Sequence, residues 1–508
     1  MQRGWWVAVV VLGTAVGCAE LEEDEPALVP VAALPLSKNS GGEGVEGRNG
    51  GMEVAADGIG KTATYSTNAF GVGPSHAFFA RLGTNARTCN SCHRQDQGWT
   101  VAASKVRDLA PDDPLFAPVD GADCPPSEDD EPADASRSTL LRARGVIRIQ
   151  LPLADESDFT LASATNPLGC AVAPASPAAD GALMLFRRPL PTANLEFATA
   201  VMWDGRETRE SLTQAAGLAN RRPLIVDLAY QDEDAVAIHQ QGANSILGTP
   251  ASADLVSFEA QLFAGQLTVG SVRLDRAHGG PRYLAEVVAP AFFVGENDPA
   301  GKGFTSTVFT LYKAWEPGAN GAARRHVTEA EKAIGRGEQI FNTRTFTISN
   351  VGGLNSAKGD PVANPQDPLF DKPIAGTCST CHNAFDTGGH STALFLDIGL
   401  TRASRTDGSG LAAAGALELG DLPVYTLRSA SGTTVDVTDP GRALVTGRFV
   451  DAGKTKVPVL RALSARAPYF HNGSAADLES VVRFYDGRFG IGLTEQEAAD
   501  LVAFLRAL

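Results

Sequence analysis

The chain carries two copies of one pentapeptide pattern, Cys89-Asn90-Ser91-Cys92-His93 and Cys378-Ser379-Thr380-Cys381-His382. Cys-x-x-Cys-His is the attachment signature of c-type haem. The two thiols form thioethers to the haem vinyl groups, and the adjacent imidazole sits where it can bind the iron. Two such motifs predict two covalently bound haem c groups, held by Cys89, Cys92, Cys378 and Cys381. His93 and His382 are then the proximal iron ligands. The rival reading is a pair of zinc or disulfide sites. Zinc ribbons pair their motifs within a few tens of residues; these lie far apart, and each has its own histidine.

The N-terminus begins Met1-Gln2-Arg3, runs apolar from Trp5 to Val16 and reaches Gly17-Cys18. A short basic start, a brief apolar core and a small residue before a cut describe a secretory signal. Ala15-Val16-Gly17-Cys18 looks like a bacterial lipobox, with Ala15 where Leu is usual, and lipidation is expected at Cys18. A plain signal peptide or an N-terminal anchor is the alternative. Either way the expected location is the periplasm or cell surface of a bacterium. Of seven Cys, Cys124 and Cys170 then remain. An even remainder in an oxidising compartment makes a disulfide the expectation, against two separate thiols. The formal charge of −16 argues against nucleic acid and anionic membrane surfaces as partners. It permits a basic redox protein.

Residues 19–65 combine an acidic run with a Gly-rich stretch and read as a flexible tether. An N-terminal haem domain is expected over 66–322, with a loop-rich insertion near 105–190 that holds a β-like run at Gly145-Val146-Ile147-Arg148-Ile149, and a C-terminal haem domain over 323–508. Leu195 to about Ala264 reads as helical, with Leu255, Phe258, Glu259 and Phe263 on one amphipathic segment. Capping boxes at Thr328–Glu331 and Thr494–Glu497 open the first and last helices of the second domain. The expected fold is mainly α: two helical domains like class I cytochrome c, each with one c-type haem.

Function depends on the sixth iron position. Filled, a haem transfers electrons; open, it binds peroxide or dioxygen. The last of four Met is Met202, so the second haem lacks a downstream Met. Its candidates are His390, His471, Tyr469 and Tyr485. Leu478, Val481, Val482 and Tyr485 recur at helical spacing, which turns Tyr485 inward; a core tyrosine is the plain alternative. His471 could bond a haem propionate as readily as iron. The first motif has no Met before Met184 and no histidine before His239, so an open first haem is the simpler reading. His239 is either a distal base or a solvent-facing helix residue.

Further residues carry a family resemblance. Val457-Pro458-Val459-Leu460-Arg461, Ala467-Pro468-Tyr469-Phe470-His471-Asn472-Gly473 and Leu478-Glu479-Ser480-Val481-Val482-Arg483-Phe484-Tyr485 resemble the bacterial di-haem cytochrome c peroxidase and MauG superfamily, as does Met202-Trp203-Asp204-Gly205-Arg206. The resemblance implies that Trp203 relays electrons between the haems. It places Gln214 on the distal side of the peroxidatic haem and Tyr485 at an axial position. It also implies a calcium ion between the domains, against the carbonyls of Arg466 and Pro468, although the family's Asn ligand is replaced near Arg188. The family's peroxidases carry a distal Glu about ten residues after the Gln; here Ala219 to Asp227 holds none, and Asp227, Glu233 or His239 are the substitutes.

The implied function is an exported di-haem oxidoreductase that reduces hydrogen peroxide at the first haem. Electrons would come from a small cytochrome c or cupredoxin through the second. A homodimer is compatible with that reading, and the N-terminal lipid is the only membrane contact expected. Two alternatives stand beside it: MauG-like or oxygenase-type oxidation of an organic or protein substrate, and a non-catalytic surface electron carrier.

Overall fold

The computed structural model describes residues 51–66, 75–126, 132–171, 182–208, 223–275, 278, 281, 295–299, 303–319, 326–355, 372–402 and 419–508. Cys18 and Gln214 lie outside these residues. The expectation of two mainly helical cytochrome c-like domains is overturned. Helix accounts for 31% of the structure and strand for 19%, and the described strands gather into five separate sheets.

The missed strands sit where Gly and Thr mask the apolar alternation. Gly51–Ala56 and Gly60–Ser66, read above as the end of a tether, form an antiparallel hairpin. Thr62 to Ser66 are all buried, because Leu262–Val269 pairs along them and Val272–Arg273 closes a four-stranded sheet. A central strand covered on both faces loses the alternation that marks a half-exposed one. Phe263 therefore lies in a strand, while Leu255, Phe258 and Glu259 belong to a helix that ends at Ala260.

The stretch expected to be a loop-rich insertion also contributes strands. Ile147–Leu151 pairs with Leu183–Arg187. Phe159–Ala164 joins Tyr425–Ser429 and Thr434–Val437 from the other half of the chain. Cys124 and Cys170 are joined by a disulfide across this stretch. A buried charge cluster binds the halves as well. Arg187, 3% exposed, donates to Asp204 at 2.5 Å and to both oxygens of Asp439 at 2.6 and 2.8 Å.

Helices frame both CxxCH motifs: α1 (Cys89–Cys92), α2 (Pro223–His239), α3 (Pro250–Ala260), α4 (Glu329–Thr343), α5 (Leu478–Phe489) and α6 (Glu495–Arg506). Both capping boxes form, at the heads of α4 and α6. These two helices cross closely because of Gly337, where a Cβ would lie 2.0 Å from the Asp500 carbonyl oxygen. Arg336 forks onto Asp500 at 2.6 and 2.9 Å beside that crossing. Phe309, Phe341 and Phe504 pack edge to face beneath it, with centroids 5.2 to 5.6 Å apart. None of the described helices is long and apolar enough to cross a membrane.

Glu338 lies inside this core and accepts the Tyr312 backbone N–H with both oxygens, at 3.1 and 3.0 Å. Burial pushes its carboxyl from 4.5 up to about 8. The folded chain thus keeps a proton that the unfolded chain releases, so stability falls as pH rises through that window. Glu338→Gln is expected to flatten the fall by about 1–3 kcal/mol at the alkaline end. Urea unfolding from pH 4.5 to pH 8 measures this; an unchanged slope contradicts the assignment.

Candidate functional site

The first CxxCH motif occupies α1 and the residue after it. Cys89 and Cys92, three positions apart on one turn, face the same side. A capping box from Thr88 to Ser91 anchors that turn. His93 Nδ1 lies 3.1 Å from the Trp99 carbonyl, which accepts its hydrogen and leaves the lone pair on Nε2. A cavity opens in front of these residues. One wall carries Ile147, Ile149 and Met202; α2 and α3 supply Gln231, Asp232, His239 and Glu259.

The second motif repeats the device in a drier setting. Thr377 caps the turn Cys378–Thr380, and His382 Nδ1 lies 2.6 Å from the Gly388 carbonyl. A second cavity opens here. Its wall is dominated by Phe341, Ile348, Leu400, Leu460, Val481 and Leu501. Burial keeps the thiols of both motifs protonated. It pushes Cys92 up to about 11 and both Cys378 and Cys381 up to about 12. No cluster of three or more metal-binding side chains occurs among the described residues.

Trp203 and Lys456 line both cavities. The Trp203 indole N–H donates to the Arg188 carbonyl at 2.8 Å, and its own carbonyl accepts from the Lys456 backbone N–H at 2.9 Å. The Trp203 ring meets His471 edge to face, with centroids 6.1 Å apart. His471 is 1% exposed, lines the second cavity and has no hydrogen-bond partner on either ring nitrogen. Burial drives its imidazole down to about 4.

The other candidates separate on position. Tyr485 lines the second cavity with Cys378, Cys381 and His382 and stacks on Phe489 at 6.2 Å. Tyr469 lines it too, but its hydroxyl donates to the Leu463 carbonyl at 2.9 Å. His390 lies off the wall, with Nδ1 3.2 Å from the Thr392 carbonyl. In the first cavity, His239 lies on the wall and its Nδ1 is 2.6 Å from Asp120. Asp120 in turn pairs with Arg87. Asp227 is fully buried away from the cavity wall, and Glu233 accepts the Ile246 N–H at 2.7 Å. Asp232, Glu259 and Lys456 on the walls escaped the sequence reading. The available signal was a carboxylate, Glu259, on an otherwise apolar helix face.

The two cavities fit covalently held haem: each carries two neutral thiols and a neutral oriented imidazole, and the second presents an orphaned buried histidine at the shared wall. The calcium position does not fit. Arg188 Nη2 donates to the carbonyls of Val101 and Arg466 at 2.5 and 2.7 Å, and Nη1 donates to Arg144 at 3.1 Å. Arg188 is 5% exposed, and its guanidinium already supplies the cation to the Arg466 carbonyl that calcium would need.

Two such cavities meet at one tryptophan, each with a CxxCH motif on its wall. Comparison with known proteins narrows the reading. A cytochrome-c peroxidase of Denitromonas iodatirespirans is 42% identical over 81 residues, 14% of this chain and 22% of that protein. The cytochrome c551 peroxidase of Nitrosomonas europaea is 41% identical over 70 residues, 13% and 21% of the two chains. The cytochrome c peroxidase of Escherichia coli is 30% identical over 133 residues, 26% and 22%. The matches thus span about a fifth of the length of these curated relatives. A solved MauG-like protein associated with microbial copper homeostasis aligns over 84% of this chain and 85% of its own, at 16% identity and a TM-score of 0.30. No family model matches. Over the matched segments the chain is similar to bacterial cytochrome c peroxidases.

Removing calcium tests the Arg188 assignment. Dialysis of the haem-loaded protein against EGTA is expected to leave its unfolding midpoint unchanged. Arg188→Ala, which orphans buried carbonyls, is expected to lower stability by about 3–5 kcal/mol. A midpoint that rises with added calcium in the unaltered protein contradicts this.

Proposed function

We propose that the protein is an exported, lipid-anchored di-haem oxidoreductase that reduces hydrogen peroxide at the N-terminal cavity. Cys89 and Cys92 with His93, and Cys378 and Cys381 with His382, would hold the two haem c groups. When bound, the haems supply one-electron redox chemistry and, at an open sixth position, a place for peroxide. Every other contribution comes from the chain. His93 and His382 are oriented by backbone carbonyls. Trp203 forms the shared wall and carries electrons from the C-terminal site. His471, whose ring nitrogens have no partner, would be available to bond a propionate there. Gln214, a distal polar group by resemblance, lies outside the described residues. A small cytochrome c or cupredoxin delivers the electrons.

The observation that carries this reading is the asymmetry of two cavities that share Trp203. The N-terminal wall presents Gln231, Asp232, His239 and Glu259, groups able to handle protons. The C-terminal wall is mostly aliphatic and aromatic, which suits a site that stores charge and excludes water. Tyr485 in that wall favours the second reading, oxidation of an organic or protein substrate, because a phenolate ligand stabilises oxidised iron.

Mixing the haem-loaded protein with hydrogen peroxide and reduced small cytochrome c separates the readings. Peroxide-dependent oxidation of the cytochrome is expected, slowed about tenfold or more by Trp203→Phe. Peroxide consumption with the cytochrome left reduced sinks the peroxidase reading. Tyr485→Phe is expected to change the visible spectrum of the C-terminal haem; an unaltered spectrum returns Tyr485 to a packing role.

A further inference from the structure

Asp232 on α2 and Glu259 on α3 face one another across the helix pair and line the N-terminal cavity. They are 3% and 2% exposed. Their carboxyls lie close enough to interact, and since two carboxylates have only acceptors, the pair needs a proton between them. One oxygen of each, Asp232 Oδ2 and Glu259 Oε2, has no partner. A buried carboxyl oxygen left without a donor is costly unless something else arrives to use it. Among the described residues no cation pairs with either, in contrast to Asp120 with Arg87 and His239. The titratable group that acts with them is the Cys89 thiol, whose own proton both carboxyls help to hold; once in a thioether it no longer titrates. Gln240 Nε2, 3.6 Å from Cys89 Sγ, and Gln231 complete the polar side of this wall.

We propose that the Asp232–Glu259 carboxyl pair is the acid–base group of the N-terminal cavity, in place of the distal Glu that the chain lacks. The proposal rests on the peroxide-reducing reading. The pair takes a proton from the oxygen of hydrogen peroxide that stays in the cavity and passes it to the oxygen that leaves. The O–O bond breaks as the departing oxygen becomes water. Two electrons from the reducing protein and two protons from solvent complete the balance, giving two waters per peroxide. A lone buried carboxylate would bind its proton too tightly or lose it to a neighbouring cation. A pair with one proton both accepts and donates without a net charge change at the wall. Desolvation, the largest influence, raises both groups, which favours a proton shared between them over two separate carboxylates.

The test uses the haem-loaded protein, with Asp232→Asn and Glu259→Gln, which each keep a hydrogen bond across the helices. Infrared difference spectra taken with pH are expected to show a protonated carboxyl band at neutral pH that titrates in alkaline solution in the unaltered protein and is lost or displaced in both variants. Rapid mixing with peroxide is expected to slow by about 10²–10⁴-fold in each variant, with a flattened pH profile, while thermal midpoint and reduced haem spectra stay put. Variants that react at the unaltered rate with the unaltered pH profile overturn the pair's role and leave peroxide reduction standing. Absence of any peroxide reaction in the unaltered protein overturns the parent reading, and the pair's role with it, before a variant is needed.

Discussion

A buried guanidinium holds this molecule together at the place where its two sites meet. Arg187, in the strand that pairs with Ile147–Leu151, is surrounded by Asp204 from the Trp203 segment and Asp439 from the C-terminal half. Burial alone would raise the Asp204 carboxyl; the charges of Arg187 and Arg206 outweigh it and hold it at about 2. A charge so enclosed is tolerable only with both carboxylates in place, so neither half can shift without uncovering it. Its neighbour Arg188 extends the joint. The Arg188 carbonyl receives the Trp203 indole, its N–H donates to the His471 carbonyl at 2.6 Å, and its side chain gathers carbonyls from both halves. Trp203 and His471 are therefore positioned by the same two residues that clamp the halves.

From that joint the two cavities diverge in chemistry although each begins from the same pentapeptide. Both CxxCH turns hide neutral thiols and aim a histidine with a backbone carbonyl. The difference lies in what the surrounding elements bring. α2 and α3 face the first cavity with carboxyls and amides. α5 and α6 face the second with Leu478, Val481, Leu501 and Leu505. Apolar enclosure suits electron storage, and a wall able to exchange protons suits bond breaking.

How much of this could be read from the chain depends on how local each signal is. The pentapeptides, the capping boxes at Thr328 and Thr494, and the inward face of α5 depend on spacing within one or two turns, and all were legible. Apart from the β-like run at Gly145–Ile149, which overlaps the strand Ile147–Leu151, the strands were not. Thr62, Thr64 and Ser66 sit in a doubly covered strand whose partners lie about two hundred residues away, so their burial has no local pattern. The same holds for Phe159–Ala164, which gains its meaning from Tyr425–Ser429. Within the site, Trp203 and Tyr485 were accessible through family resemblance. Lys456 and the Asp232–Glu259 pairing became visible only when the fold brought separate segments to one wall. Arg188 was noticed as a missing ligand; its geometry makes it the cation.

The central claim is that the two haem sites are unequal, one open to a reactant and one closed for electron transfer. The absorption and electron paramagnetic resonance spectra of the resting ferric protein test it most directly. One high-spin and one low-spin haem are the expected result. Two low-spin haems with no high-spin component would contradict it and leave a surface electron carrier as the reading.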